Sequence, residues 1–215
     1  MLKKLAILLG VILACSLLAA AQEVRSEVTV SAIGVFNYDT NSNFLVHRAT
    51  DSGGVLAGYR YNINHWAAVE VNYGWNRNSQ EYFALGVGEN RIQSDVNQVT
   101  ADFVARTPTF GHFRPYVLGG GGALIYDPVT RFVPLAGING QRTLTRIPTR
   151  GQGTFVYGGG ADIDLTTRGS RLSGVSLRLG YRGYAYQVPN FGFRRLELNS
   201  WTHTAQPEAG LTFRF

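Results

Sequence analysis

The chain has 215 residues, of which 45% are apolar and only 16% charged, with 26 glycines and 12% aromatics. That is enough chain for one β-barrel or one ordinary domain, and it is poorer in charge than a soluble domain at about a quarter. The single cysteine, Cys15, lies near the N-terminus, so no disulfide framework, thiol nucleophile or thiolate metal site is expected beyond it.

The chain begins with the layout of a secretion signal. Lys3 and Lys4 form a positive start, Leu5 to Leu18 is apolar, and Ala19-Ala20-Ala21 supplies an A-x-A cleavage site. We therefore divide the chain into a signal peptide, 1–21, and a mature domain, 22–215. A retained anchor, or a lipoprotein reading on Cys15, is the alternative; the second is disfavoured because the apolar run continues past Cys15. Residues 22–215 carry 18 arginines, no lysine and 14 acidic residues, a formal charge of +4. Export through the periplasm follows from either cleavage route.

After Gln22 no apolar run is long enough for a transmembrane helix. The pattern is of segments with alternating polarity. The first strand is Glu27–Asn37. The second, Gly53–Ile63, places Val55, Ala57, Tyr59, Tyr61 and Ile63 on one face. The third, Trp66–Trp75, sets Val69, Val71, Tyr73 and Trp75 against Glu70 and Asn72. The fourth, Asp95–Arg106, sets Val99, Ala101 and Phe103 against Thr100, Asp102 and Arg106. The fifth is Arg114–Tyr126, with apolar residues or glycine on both faces, so its orientation stays open. The sixth, Thr154–Leu165, sets Phe155, Tyr157 and Ile163 against Asp162 and Asp164. The seventh, Gly174–Gln187, sets Val175, Leu177, Leu179 and Tyr181 against Ser176, Arg178 and Arg182. The eighth is Thr202–Phe215.

The connections after strands two, four and six are short, about four to eight residues, whereas Tyr38–Ser52, Asn76–Ser94, Asp127–Gly153 and Val188–Trp201 are long. Short turns on one side and long loops on the other is the layout of a barrel made from the periplasm. The fold expected is therefore an all-β, eight-stranded, antiparallel up-and-down transmembrane β-barrel.

The last strand alternates Ala209, Leu211, Phe213 and Phe215 with Gly210, Thr212 and Arg214. Together with Arg-Pro-Tyr-Val-Leu-Gly-Gly-Gly-Gly at 114–122, the Gly158-Gly159-Gly160 segment and Leu177 to Tyr184, it resembles the small outer-membrane barrels of the OmpA-transmembrane, OmpX and opacity-protein type. The resemblance covers Glu27 to Phe215. It implies an outer-membrane location, outer-membrane lipid and lipopolysaccharide as surroundings, and an assembly signal at Leu211, Phe213 and Phe215 read by the barrel-assembly machinery. Because the sequence stops at Phe215, no peptidoglycan-binding domain is expected after the barrel. An amphipathic edge strand of a soluble sheet is the alternative for this segment taken alone.

Arg60, Glu70, Asp102, Asp162, Arg178 and Arg182 each sit opposite an apolar row. An arginine facing the lipid mid-plane costs about 2–4 kcal/mol, so the alternation sends these charges inward. They are expected to form a paired network that fills the lumen. A narrow gated pore lined by the same residues is the alternative, and acid–base chemistry by Glu70 with Asp102 is a third reading without substrate access. Arg131, Arg142, Arg146 and Arg150 make the third long loop basic. They are candidates for contact with lipopolysaccharide phosphates or another anionic surface, against an ordinary solvated loop.

The glycine runs lack a phosphate-loop pattern, and the four histidines match no metal spacing. No nucleophile–base motif is recognisable. No cofactor, metal, catalytic residue or nucleic-acid partner is expected. The function expected is structural or adhesin-like surface interaction through long extracellular loops, with the pore second and a lipid-modifying enzyme third.

Overall fold

The computed structural model describes residues 26–42, 45–84, 88–130, 132–136, 142–165, 174–189, 191 and 200–215. The expected signal peptide lies outside them. Among the described residues twelve strands are found: β1 (Ser26–Asn37), β2 (Thr40–Ser42), β3 (Leu45–Ala49), β4 (Ser52–Asn62), β5 (Ala67–Ala84), β6 (Gly88–Arg106), β7 (Phe113–Pro128), β8 (Phe132–Ala136), β9 (Arg142–Arg146), β10 (Arg150–Asp164), β11 (Val175–Gln187) and β12 (Trp201–Arg214). Eight of them, β1, β4, β5, β6, β7, β10, β11 and β12, follow one another around a closed antiparallel barrel. Closure is made by β1 on β12, from Glu27 opposite Arg214 to Asn37 opposite Thr204. A closed wall leaves no spanning edge whose N–H and C=O groups would face hydrocarbon unpaired.

The alternation of apolar and polar residues is what orients the wall. Val30, Val55, Val71, Phe103, Val117, Phe155, Leu179 and Leu211, one from each barrel strand, all point outward and are 43–62% exposed. A soluble protein does not leave an apolar belt of that extent in water. Tyr59, Tyr61, Trp66 and Phe213 lie on the outer surface toward one end, and Tyr73, Trp75 and Trp201 toward the other. That is how interfacial aromatic girdles bracket a hydrocarbon band. β7 resolves the orientation left open above. Tyr116, Leu118, Leu124 and Tyr126 are buried inside, and Val117 and Ile125 face out.

Ser26, Arg214 and the connections 63–66 and 107–112 share one end, which is the periplasmic end of such a barrel. The first of these turns is held by the Asn64 side chain, whose Oδ1 accepts from the N–H groups of Trp66 and Ala67, both at 2.8 Å. An asparagine that bonds the backbone two and three residues on is a turn-former for this reason.

At the other end the strands outrun the membrane. The segment Asn76–Ser94, expected as a long loop, is instead largely strand. β5 has 18 residues and β6 has 19, against the 9–11 needed to span. Above the membrane the outer face no longer meets lipid, so the apolar alternation stops although the pairing continues. Arg77 sits opposite Asp95 there and donates to it at 2.7 Å. The loop expected at Tyr38–Ser52 likewise contains β2 and β3, and β3 pairs with the raised part of β5. The loop at Asp127–Gly153 contains the β8–β9 hairpin.

Candidate functional site: a charge network in the lumen

The site begins with register. Glu70 on β5 stands opposite Arg60 on β4 and opposite Asp102 on β6, while Asp162 on β10 stands opposite Arg178 on β11. Period 2 turns all of these side chains inward, where the barrel is just wide enough for side chains to fill it. Two carboxylates on adjacent strands would repel, and arginines from the far wall separate them. Arg182 donates Nη2 to Glu70 Oε1 and Nη1 to Asp102 Oδ2, the latter at 2.7 Å. Arg60 donates Nε to Glu70 Oε2 at 2.6 Å and Nη1 to Asp162 Oδ2 at 3.1 Å. Arg178 reaches Asp162 Oδ1 at 2.8 Å and Glu70 Oε2 at 3.2 Å. All six residues are 0–1% exposed. Charges taken this far from water need both pairing and hydrogen bonds to be tolerated.

Three further residues of this layer were not singled out from the sequence. Glu27 lies below it, 3.6 Å from Arg60 and 3.1 Å from Arg106. Glu208 accepts from Arg182 Nε at 3.3 Å. Tyr116 lies between Arg60 and Arg178, whose guanidinium carbons stand 4.8 and 5.3 Å from its ring centroid, and its hydroxyl donates to Glu208 at 3.0 Å. Glu208 was legible in the inward row Thr202, Thr204, Gln206, Glu208. Tyr116 was not, because β7 is apolar on both faces.

The glycines make room for this ring. A Cβ on Gly160 would lie 2.8 Å from the Tyr116 hydroxyl, and one on Gly180 2.6 Å from it.

Toward the outside the lumen changes character. Gln98 donates to Gln206 and Asn76, at 3.0 and 3.2 Å, and Thr204 donates to Asn37 at 2.8 Å. Above these amides lie Tyr126, Tyr186, Ile92, Ile147, Val188 and Phe191, all buried, with the Tyr126 and Phe191 rings packed edge to face at 6.5 Å. The polar layer and this aromatic layer occupy successive levels of the same bore. Glu70 and Asp102 are enclosed by arginines and amides, so a substrate has no approach to them for acid–base chemistry.

The other sequence candidates lie elsewhere. Arg146 is exposed and Arg150 is partly exposed at the start of β10. Arg131 and the Arg142 side chain lie outside the described residues. Leu211 and Phe213 face lipid on β12, and the Phe215 backbone continues the pairing with Ser26, donating to its carbonyl at 3.0 Å.

A closed antiparallel barrel with an apolar outer belt, aromatic girdles and a charged, packed interior defines the class of outer-membrane β-barrel proteins. The chain belongs to the outer membrane protein beta-barrel domain family, whose model matches residues 7–215. Its location is the outer membrane. No curated protein matches the chain by sequence. Among solved structures, it is similar to Neisserial surface protein A (NspA), with 14% identity over 88% of this chain and 97% of that one, at a TM-score of 0.53. Ail, the attachment invasion locus protein of Yersinia pestis, matches at 15% identity over 90% of this chain and 100% of that one, with a TM-score of 0.51. The outer membrane protein OprG from Pseudomonas aeruginosa matches at 12% over 91% and 98%, with a TM-score of 0.57. At these identities the likeness is one of fold.

Proposed function

We propose that the protein is a non-conducting, non-enzymatic scaffold that holds an extracellular surface against anionic glycans. The observation that carries this reading is the lumen: Arg60, Glu70, Asp102, Asp162, Arg178 and Arg182 are buried and paired across its width. An eight-stranded barrel filled in this way has no room for an aqueous channel. What is left for interaction is the outer end, where β5 and β6 rise above the membrane and the β8–β9 hairpin adds arginines. On the raised wall Arg48, Arg77 and Arg91 are matched by Asp39, Asp95 and Glu81. Arg146 and Arg150, together with Arg131 and Arg142 in the sequence, make the segment 127–153 basic. Guanidinium groups suit phosphate and sulfate because they present paired N–H donors. Ail has been crystallised with the heparin analogue sucrose octasulfate, which gives this fold one instance of such a ligand. Lipopolysaccharide phosphates offer the same chemistry within the protein's own membrane.

The same reading includes removal of residues 1–21 on export, and recognition of Leu211, Phe213 and Phe215 by the barrel-assembly machinery.

The test is binding of the folded protein in neutral detergent to immobilised heparin and to lipopolysaccharide. Retention that weakens with salt is expected, and replacing Arg131, Arg142, Arg146 and Arg150 together with glutamine is expected to abolish it. Equal retention of the quadruple variant overturns the assignment. In planar bilayers the protein is expected to show no unit steps. Steady unit conductance that changes on Arg182→Gln would instead select the narrow-pore reading.

A further inference from the structure

The periplasmic mouth holds a second group of charges that the lumen network does not absorb. A vestibule of about 760 Å³ opens there. It is lined by Arg106 from the end of β6, Arg114 from the start of β7, Arg214 from the end of β12, Glu27 from β1, Asn62 from the end of β4 and the turn residue His65. Arg106 is 7% exposed, and the Arg214 side chain 10%. Each arginine is tethered by part of its guanidinium only. Arg106 donates Nη1 to Glu27 at 3.1 Å and Nη2 to Asn62 at 2.6 Å. Arg214 donates Nη1 to Asp164 at 2.6 Å, and Arg114 donates Nη2 to the other oxygen of Asp164 at 3.4 Å.

The remaining donors belong to the same three residues that line the vestibule. Among the described residues, Arg106 Nε, Arg114 Nε, and both Nε and Nη2 of Arg214 are buried with no hydrogen-bond acceptor, and Arg214 Nε lies 3.6 Å from Glu27 Oε1, beyond hydrogen-bond distance. Three guanidiniums share two carboxylates, and Glu27 is divided further. Its second oxygen points up toward Arg60 and Arg178, at 3.6 and 4.0 Å. A buried N–H without a partner costs about 1–3 kcal/mol, more when charged. A cluster of them around a cavity lowers that cost most by accepting a ligand rich in oxygen lone pairs.

We propose that this vestibule is a binding site for a small oxyanion, a phosphate or a carboxylate, held by Arg106, Arg114 and Arg214 on the periplasmic side. Arg106 and Arg214 form its floor, held by Glu27, Asn62 and Asp164, and Arg114 forms its wall. Asp164 competes with the ligand, because it occupies one donor each of Arg114 and Arg214. The site is chemically separate from the extracellular arginines, so it stands or falls independently of the proposed surface role.

The test is isothermal titration of the folded full chain in octyl glucoside, a detergent without a charged headgroup, using inorganic phosphate and succinate in separate arms and sodium chloride at matched ionic strength as the control. Saturable heat with phosphate, with succinate or with both supports the site and says which oxyanion it takes. Arg114→Gln, which leaves the lumen network intact, is expected to weaken binding at least tenfold. Asp164→Asn, by freeing two donors and removing a negative charge, is expected to tighten it several-fold. No saturable heat beyond the chloride control overturns the proposal, as does binding that both variants leave unchanged.

Discussion

Glu70→Ala is expected to destabilise the barrel by about 3–5 kcal/mol. Among the described residues Glu70 is the one carboxylate that touches Arg60, Arg178 and Arg182 together, and all four side chains are 0–1% exposed. Removing it takes the shared carboxylate from three guanidiniums in a site closed to bulk solvent, which costs far more than the loss of an average hydrogen bond. The measurement is equilibrium denaturant unfolding in detergent micelles. Arg77→Ala is the control, since Arg77 pairs with Asp95 at 2.7 Å but is 47% exposed. An exposed pair of that kind is worth about 0–1 kcal/mol. If the two variants lose similar stability, the network does not hold the barrel together.

Gly160→Val is expected to reduce folding sharply, by about 3 kcal/mol or more in the folded barrel. A Cβ at this position would sit 2.3 Å from the Leu179 carbonyl oxygen and 2.7 Å from the Gly180 Cα on β11, besides crowding Tyr116. The first two are backbone atoms, so relief requires β10 and β11 to separate where they are paired. Gly151, on the same strand, has nothing within 4 Å of its Cβ direction, and Gly151→Val is expected to fold normally. Migration on a gel with and without boiling reads the folded fraction of each. Equal folded fractions for the two variants would place the tolerance of the wall elsewhere than in close strand approach.

The raised ends of β5 and β6 show why part of the fold was hidden in the sequence. From Val69 to Trp75 one face meets lipid and the other meets the lumen, so polarity alternates and the strand is legible. From Arg77 onward both faces tolerate polar groups. The same backbone pairing continues without the pattern that reveals it. For β7 the difficulty was the reverse: glycine and apolar residues on both faces conceal that Tyr116 points inward between two arginines. Pro207 on β12 is a further exception within a legible strand. It faces outward opposite Tyr181, and the pairing of β12 with β1 skips from Glu208 to Ala205 around it, as expected of a residue without an N–H.

Alternation by itself determined the number of spanning strands and the inward placement of Arg60, Glu70, Asp102, Asp162, Arg178 and Arg182. Lipid cannot accept charge, so each strand's register against the membrane is a local property. The partners of those charges were decided only by closure of the barrel. Arg182 and Glu70 are 112 residues apart, and Arg60 and Asp162 are 102 apart. They meet because β1 pairs with β12 and curls the sheet until opposite walls touch through their side chains. The periplasmic cluster of Arg106, Arg114 and Arg214 is likewise a product of tertiary structure. Three strand ends distant in sequence are brought to one rim, and no periodicity along the chain records which ends become neighbours.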